Sequence, residues 1–548
     1  MIHPDAPPQP AWIILPNGRL IPFESDRICE DLYLASVKMG NPDAFLIREL
    51  TDGVVFTLAS ENPGATLKLD FLVQAVTNSL RNFGHSELSA TYNKIAFNPS
   101  ERSESWDEES VLFKKTAKGQ KSLSEVSRQK MLHSVFTPDI SGAIQDGWIQ
   151  MAGLTFPDGL LSATWTDGDW LGLALHQPDS LGPTIRALAA RNILLDSPEI
   201  HAQHLGLTDP GKISLVLQRL EAAFLSEGVS GILHLNNPRQ PGWFRFLVQG
   251  PLFSQTKRDD QGKDPLKTAN AFLRAWISLN PSALRLHWHR GERELADTGK
   301  ILSQLARSGR PWAFSSTKNL TISWLSKGVT QEQPAVLDKV YLRLDRLAKA
   351  CRRKGILDKF PERLPSLIRL GISAGNQKRA FLRRLENHRR GNETPGASLG
   401  AGFQLEKARL VIAPRGLPEL LDCQFPGAEP NDEKVLQLAR VVLKEIRQTL
   451  LREDPKSTGS LVLDLSHLLD VKESRIKELM DRQLDQPRSI CFGSKRDVGE
   501  WLNAVGQPGD WIDLANPQAP EGEMDWLAEA EKWPRIHAIS WPGPGSSK

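Results

Sequence analysis

Trp12-Ile13-Ile14-Leu15-Pro16-Asn17-Gly18-Arg19-Leu20-Ile21-Pro22-Phe23 sets two short apolar runs on either side of an Asn-Gly pair. Asn-Gly suits a tight hairpin turn because both residues accept positive φ, so this stretch predicts a β-hairpin. Ser25 or Asp26 is then expected to cap a helix whose apolar residues Ile28, Leu32, Ala35 and Met39 share one face. Further on, Thr66 is expected to cap a second helix, with Leu69, Leu72, Val73, Val76 and Leu80 as its buried stripe and Gly84 as its stop. A third segment, Ser86 to Ile95, would bury Leu88, Tyr92 and Ile95. The result is a small α+β module, a hairpin over a helical cluster, of a size that can sustain its own core.

Ile13 to Arg19, Phe23, Ser25-Asp26-Arg27-Ile28, Thr66 to Leu80, Gly84 and Tyr92 stand in an order and spacing that resembles the ATP-cone, the nucleotide-sensing module usually found at the N-terminus of ribonucleotide reductases. The resemblance implies ATP or dATP as an allosteric ligand. Its triphosphate would be held by the turn Leu15, Pro16, Asn17, Gly18 and Arg19, by the helix start at Asp26 and Arg27, and by Thr66. Turn amides and helix N-termini both favour anions. The sequence departs from the family at the site itself. Leu15 and Pro16 occupy the positions of the family's Lys-Arg pair, although Arg27 stands at its helix-start lysine and Arg19 is close by. Each charge-assisted hydrogen bond lost in this way costs about 1.5–3 kcal/mol. A module that keeps its fold without binding is therefore an open alternative.

The whole chain, 548 residues, is long enough for two to four domains. Its 40% hydrophobic and 24% charged residues are ordinary for a globular protein with large cores. A net charge of +3, from 68 basic against 65 acidic residues, gives no general reason to expect nucleic acid or a membrane surface as partner. The four cysteines, Cys29, Cys351, Cys423 and Cys491, form no Cys-x-x-Cys pair, which argues against a disulfide framework or a zinc knuckle. No metal is expected. Met1 to Pro10 lacks the pattern of a signal peptide, and no apolar run approaches membrane-spanning length. A cytoplasmic protein is the expectation.

Composition divides the chain into a disordered start at 1–10, the cone-like module at 11–97, a polar linker at 98–124, a large domain at 125–480 and a C-terminal extension at 481–548 with a disordered tail. From about Val126 helical patterns alternate with β-type runs. Candidate strands are Gly231–Leu235, Phe244–Val248, Leu284–Trp288, Trp312–Phe314, Leu367–Leu370, Arg409–Ile412, Leu461–Leu465, Trp511–Leu514 and Ile536–Ile539. Candidate helices include Thr298–Arg307, Ala335–Ala350 and Glu433–Leu451. The alternation predicts a parallel α/β sheet, and the number of units predicts a barrel.

Within this domain His133 to Leu154, with Ile140-Ser141-Gly142-Ala143 and Asp146-Gly147-Trp148-Ile149-Gln150-Met151, resembles the entry of the anaerobic ribonucleotide reductase domain. Ser373 to Leu382 is similar to that family's finger loop, and Gly391 to Arg409 with the helix Glu433 to Leu451 continues the likeness. The family's reaction needs a thiyl radical at the finger-loop tip, and the matching position here is Lys378, whose ammonium has no S–H chemistry to offer. The family's glycyl-radical loop, of Arg-x-x-Gly-Tyr type, is also absent from this sequence, whose last Tyr is Tyr341. The resemblance thus implies a reductase-like scaffold without reductase chemistry and with no catalytic residue to assign.

The reading that follows is an α/β protein in which an ATP-cone precedes a large barrel-like domain resembling ribonucleotide reductase. It would act as an ATP- or dATP-binding regulatory protein, through homo-oligomers or association with a reductase. Two other readings stand beside it. In one, His234, His287, His289, Asp464 and His467, at or just past strand ends, bind a metal or act as acid and base, against the plainer view that they are half-buried strand residues. In the other, the chain is a structural protein with a non-binding cone. Two basic clusters, Arg352-Arg353-Lys354 and Arg383 to Arg390, read as solvated helix faces, and the fifteen Trp as core.

Overall fold

The computed structural model describes residues 7–96, 132, 134–154, 156, 158–165, 170–187, 190–195, 209–235, 265–279, 284–289, 312–315, 335–391, 405, 408–454, 460–471, 490–492, 495–506, 513–515 and 538–541. The chain divides into two compact units, Met1–Pro157 with Ala350–Lys378, and Asp158–Lys349 with Arg379–Lys548.

The first unit opens with the expected hairpin, β1 (Trp12–Ile14) and β2 (Leu20–Pro22), antiparallel with Ile14 opposite Leu20. Gly18 carries the turn at φ 78°, a conformation only glycine adopts cheaply. Helix α1 (Ser25–Lys38) follows, then α2 (Ala44–Glu61), whose N-cap Asp43 accepts the Leu46 amide at 3.0 Å. Next comes β3 (Thr66–Lys68), which pairs parallel to β1 and completes a sheet of order β2-β1-β3. Its inward residues Ile13 and Leu67 are buried against the helices. Helix α3 (Leu69–Asn82) buries Leu72, Val73, Val76 and Leu80 but leaves its first residue, Leu69, half-buried, and α4 (Ser86–Ala96) buries Leu88, Tyr92 and Ile95, as their spacing predicts.

Three local expectations fail here. Thr66 is a strand residue and caps nothing; Lys68 precedes α3 and makes no side-chain cap. A threonine three residues early is drawn into β3 because β1 offers it a partner. Neither Ser25 nor Asp26 caps α1: Glu24 holds the N-cap position and both fall inside the helix. Met39 lies beyond the last turn of α1 and is exposed.

The first unit also holds α5 (Pro138–Gln145) leading into β4 (Ile149–Met151). Trp148 stacks on Phe45 of α2 with ring centroids 4.7 Å apart. Gly142 of α5 lies so close to α1 that an added Cβ would meet the Tyr33 hydroxyl at 2.1 Å.

In the second unit the strands run β5 (Leu160–Trp165), β6 (Ala190–Leu195), β7 (Ser230–Leu235), β8 (Leu284–His289), β9 (Trp312–Ser315), β10 (Ala335–Arg343), β11 (Arg409–Arg415) and β12 (Leu461–Leu463). A short parallel pair, β13 (Leu469–Val471) with β14 (Ile490–Phe492), stands beside them. The last two strands are β15 (Asp513–Ala515) and β16 (Ala538–Trp541). The main sheet has the order β12-β11-β10-β5-β6-β7-β8-β9-β16-β15. β5 to β9 are mutually parallel, and so are β10 to β12. The two sets meet antiparallel at β5/β10, and β16 runs antiparallel to β9. The segment expected as a C-terminal extension thus supplies two strands of this sheet. Among the described residues no pairing joins the edge strands β12 and β15.

Two helical and strand assignments change. Ala335–Ala350 is strand β10 followed by helix α6 (Leu344–Arg353). β10 lies between β11 and β5 and is buried on both faces, so its apolar run does not alternate and imitates a helix. Leu367–Leu370 lies inside the long helix α7 (Phe360–Gly391), where Leu364, Leu367 and Ile368 fall at helical spacing and are buried. The predicted strand Phe244–Val248 and helix Thr298–Arg307 fall outside the described residues, as does the linker 98–124. No described helix is long and apolar enough to cross a membrane.

Gly142→Ala is expected to lower the melting temperature of the full chain, with a cost of about 1–3 kcal/mol for overpacking against Tyr33. Adding Tyr33→Phe, which removes the nearest atom, recovers part of the loss in the same calorimetric measurement.

Candidate functional site

The turn expected to face a triphosphate is closed by its own backbone. Leu15 N–H donates to the Arg19 carbonyl at 2.9 Å, Gly18 N–H to the Leu15 carbonyl at 2.9 Å, and Arg19 N–H to Asn17 Oδ1 at 3.1 Å. Pro16, Asn17, Gly18 and Arg19 are exposed, and Leu15 is half-buried. Arg19 makes no ion pair among the described residues. At the start of α1, Arg27 Nε donates to Glu24 Oε2 at 2.8 Å, so this cation already has a carboxylate within its own turn. Thr66 is exposed on the outward face of β3, with Lys68 two residues on pointing the same way.

Asp26 is tied elsewhere. Its Oδ1 accepts from Arg48 Nη1 of α2 at 2.7 Å, and its Oδ2 accepts from the hydroxyl of Ser373 on α7. Arg48 is 5% exposed and also lies 3.3 Å from Asp52 Oδ1. Asp52 Oδ2 in turn accepts from Ser366 Oγ at 2.7 Å and pairs with Arg369 Nη1 at 3.0 Å. One helical turn away Arg363 closes both forks on Glu49 while its guanidinium lies 5.1 Å over the Phe45 ring. Within the first unit, α1 and α2 therefore meet α7 through three carboxylates and three guanidinium groups. Gln377 adds a reciprocal pair, donating to Thr137 Oγ1 at 2.8 Å and accepting the Thr137 amide at 2.9 Å just before α5.

Behind Arg48 lies a second polar group. Cys29 and Asp139 are both buried, and Asp139 Oδ1 has no hydrogen-bond partner. Burial pushes the Asp139 carboxyl above its ordinary range, partly offset by the Thr137 hydroxyl, and pushes the Cys29 thiol well up, with Asp139 adding to the rise. Burial disfavours the Arg48 charge too, but Asp52, Cys29 and Asp26 outweigh it and hold the guanidinium protonated.

The rival strand-end set is only partly brought together. His234 pairs in register with His287, and His289 with Ser315, but the side chains of the four histidines lie outside what is described. Asp464 is buried, with Lys339 Nζ at 2.6 Å and the Ser466 amide at 2.8 Å. Among the described residues no group of three or more His, Cys, Asp or Glu could hold a metal ion.

No family model matches the sequence, and no curated protein matches it. Solved structures do. The anaerobic ribonucleotide reductase of Thermotoga maritima in complex with dATP and CTP superposes with a TM-score of 0.52 at 10% identity, over 95% of this chain and 92% of that one. The same enzyme with dATP in its specificity site gives 0.51 at 11% identity, over 95% and 92%. A further anaerobic ribonucleotide reductase gives 0.50 at 12% identity, over 95% and 89%. The chain has the fold of the anaerobic ribonucleotide reductases. At this identity the likeness is one of fold.

Against that fold, the stretch read as a finger loop is not a loop. Ser373 to Leu382 lies wholly within α7, and Lys378 is a fully buried helical residue. Ala374, Gln377, Ala380 and Leu382 are good helix formers, and one glycine, Gly375, is too weak a breaker to outweigh them. The charged residues joining α2 to α7, Glu49, Asp52, Arg363 and Arg369, carried no local signal, since each lies more than three hundred positions from its partner on the other helix.

Because its carboxyl is raised, Asp139 contributes stability that is fully present below the ordinary carboxylate range and is lost as pH rises through the folded value. Asp139→Asn is expected to flatten that decline and to raise the melting temperature at neutral pH. Arg48→Met leaves Asp26 and Asp52 without their shared cation, although Asp52 keeps Arg369, and a loss of about 1.5–3 kcal/mol is expected in denaturant unfolding.

Proposed function

We propose that this chain is a nucleotide-responsive regulatory protein, with an N-terminal ATP-cone joined to a barrel of the reductase fold that does not itself reduce ribonucleotides. ATP or dATP would lie against the turn Leu15 to Arg19 and the start of α1, with Arg19 and Arg27 as the phosphate-facing cations and Asn17, Gly18 and Pro16 shaping the turn. Thr66 and Lys68 on the neighbouring strand complete that surface. The solved proteins of the same fold were obtained with dATP and with CTP, which supports a nucleotide as the ligand class.

One observation carries the regulatory reading. Asp26, beside Arg27 at the candidate phosphate site, is the same carboxylate that holds Arg48 and the Ser373 hydroxyl of α7. A triphosphate arriving there repels Asp26 and competes for Arg27, so it has different interaction energies with the joined and loosened forms of this link. That difference is what allostery requires. The absence of reductase chemistry is supported by the sequence, which has no Arg-x-x-Gly-Tyr type loop. Assembly, with itself or with a reductase, is the proposed output.

Titration of the full chain with dATP is expected to give binding tighter than about 0.1 mM, near 5.5 kcal/mol, weakened roughly tenfold or more by Arg19→Ala, a loss of about 1.4 kcal/mol. Amide exchange across residues 360–378 of α7 is expected to rise on binding. No heat at millimolar nucleotide refutes the sensor, and binding without any change in α7 refutes the route through Asp26.

A further inference from the structure

Arg27, Arg48, Arg363 and Arg369 of the first unit are each matched to a carboxylate, and one group of cations there is not. Helix α6 ends in a Gly355 cap, where the Gly355 amide donates to the Arg352 carbonyl at 3.1 Å and the Ile356 amide to the Cys351 carbonyl at 3.0 Å. Around this turn Arg352, Arg353, Lys354 and Lys359 are all exposed, with Asp358 as the one carboxylate among them. None of the four makes an ion pair among the described residues. A single cation is enough to complement a helix C-terminus, so dipole compensation accounts for one of them and leaves the rest.

The second unit carries the opposite pattern. Helix α8 (Leu417–Gln424) and helix α9 (Glu433–Glu453) are joined by a turn in which Asp432 Oδ2 accepts the Glu429 amide at 3.1 Å. Asp422, Glu429, Asp432 and Glu433 are exposed there, with Lys434 as the one cation. Glu429, Asp432 and Glu433 make no ion pair among the described residues. Four cations against one carboxylate on one surface match four carboxylates against one cation on another. Neither surface exposes an aromatic side chain on which a nucleic-acid base would stack, nor a large apolar one to enter a membrane.

We propose that these two surfaces dock on each other between copies of this chain, the 352–359 turn of one copy against the 422–434 turn of the next. The contact joins unlike surfaces, so it is head-to-tail, and it closes into a ring or continues as an open chain of copies. Its attraction is between solvent-exposed charges, so each pair is weak, several act together, and salt screens them. This inference stands apart from the nucleotide reading and does not need it.

Sedimentation of the full chain tests it, at an ionic strength of about 0.01 M and again at about 1 M, where the Debye length falls from about 30 Å to about 3 Å. The expected result is a mass above one chain that grows with concentration at low salt and returns to one chain at high salt. Arg352→Glu with Arg353→Glu abolishes the growth, and so does Glu429→Lys with Glu433→Lys. Mixing the two variants restores a two-chain species, because each retains the surface that the other has reversed. Both variants change exposed residues, and unchanged melting temperatures show that they remain folded. One chain at all salt concentrations overturns the proposal, as does association that survives both reversals or a mixture that fails to associate. Duplex DNA bound through the 352–359 turn, with association unaffected by reversing 429 and 433, overturns it in favour of a polyanion partner.

Discussion

Arg48 is a guanidinium with almost no access to water, and the first unit is arranged so that it never lacks carboxylates: Asp26 reaches it from α1 and Asp52 from its own helix. Removing a cation of this kind from water costs several kcal/mol, which is recovered only when good partners stand close by. The two partners are themselves held. Ser373 fixes the second oxygen of Asp26, and Ser366 with Arg369 fixes the second oxygen of Asp52. Thus α7 is bound to the N-terminal helices through the outer oxygens of carboxylates whose inner oxygens neutralise Arg48. Beside this chain the Glu49–Arg363 pair and the Phe45–Trp148 stack add a charged and an aromatic contact.

The second unit solves the same problem inside a sheet. β10 is flanked on both sides and carries Lys339, Tyr341 and Arg343 at alternate positions along one face. Lys339 takes Asp464 from the end of β12, and Arg343 closes on both oxygens of Asp345 at 2.8 Å as the chain turns into α6. Arg415, at the end of β11, lies 3.8 Å over the Tyr341 ring. On the same strands Val336, Val411 and Val462 form an apolar cluster joined by Leu161. Valine packing and paired charge thus share these strands, which keeps the sheet buried while its polar groups are paired.

These two arrangements bear on function differently. In the second unit the polar strand-end residues that are described serve one another, which leaves Asp464 with a structural place and does not favour the acid/base reading. In the first unit the ion network touches the surface proposed above for nucleotide, through Asp26 and its neighbour Arg27. A regulatory protein needs such a shared group, since a ligand shifts a structure only by interacting unequally with its states.

Local chemistry made much of the N-terminal module legible. Asn17-Gly18 required a turn, the spacing of Leu72, Val73, Val76 and Leu80 required a helix, and both are present. The β-runs of Gly231–Leu235 and Arg409–Ile412 were equally plain, because β-branched and apolar residues between breakers leave few other choices. The sequence misled where one pattern has two meanings. A central strand buried on both faces reads like a helix, as in β10, and four apolar residues in a helix read like a strand, as at Leu367–Leu370. The sequence by itself determined the hairpin and the helical stripes. Only the tertiary structure decided that Thr66 pairs as a strand, that Ser373 to Leu382 stays helical and that Asp26 belongs to Arg48 and Ser373. Periodicity reports what a residue's near neighbours require, whereas a polar side chain is settled by whichever partner the fold brings to it, as Ser373 is brought to Asp26 across more than three hundred residues.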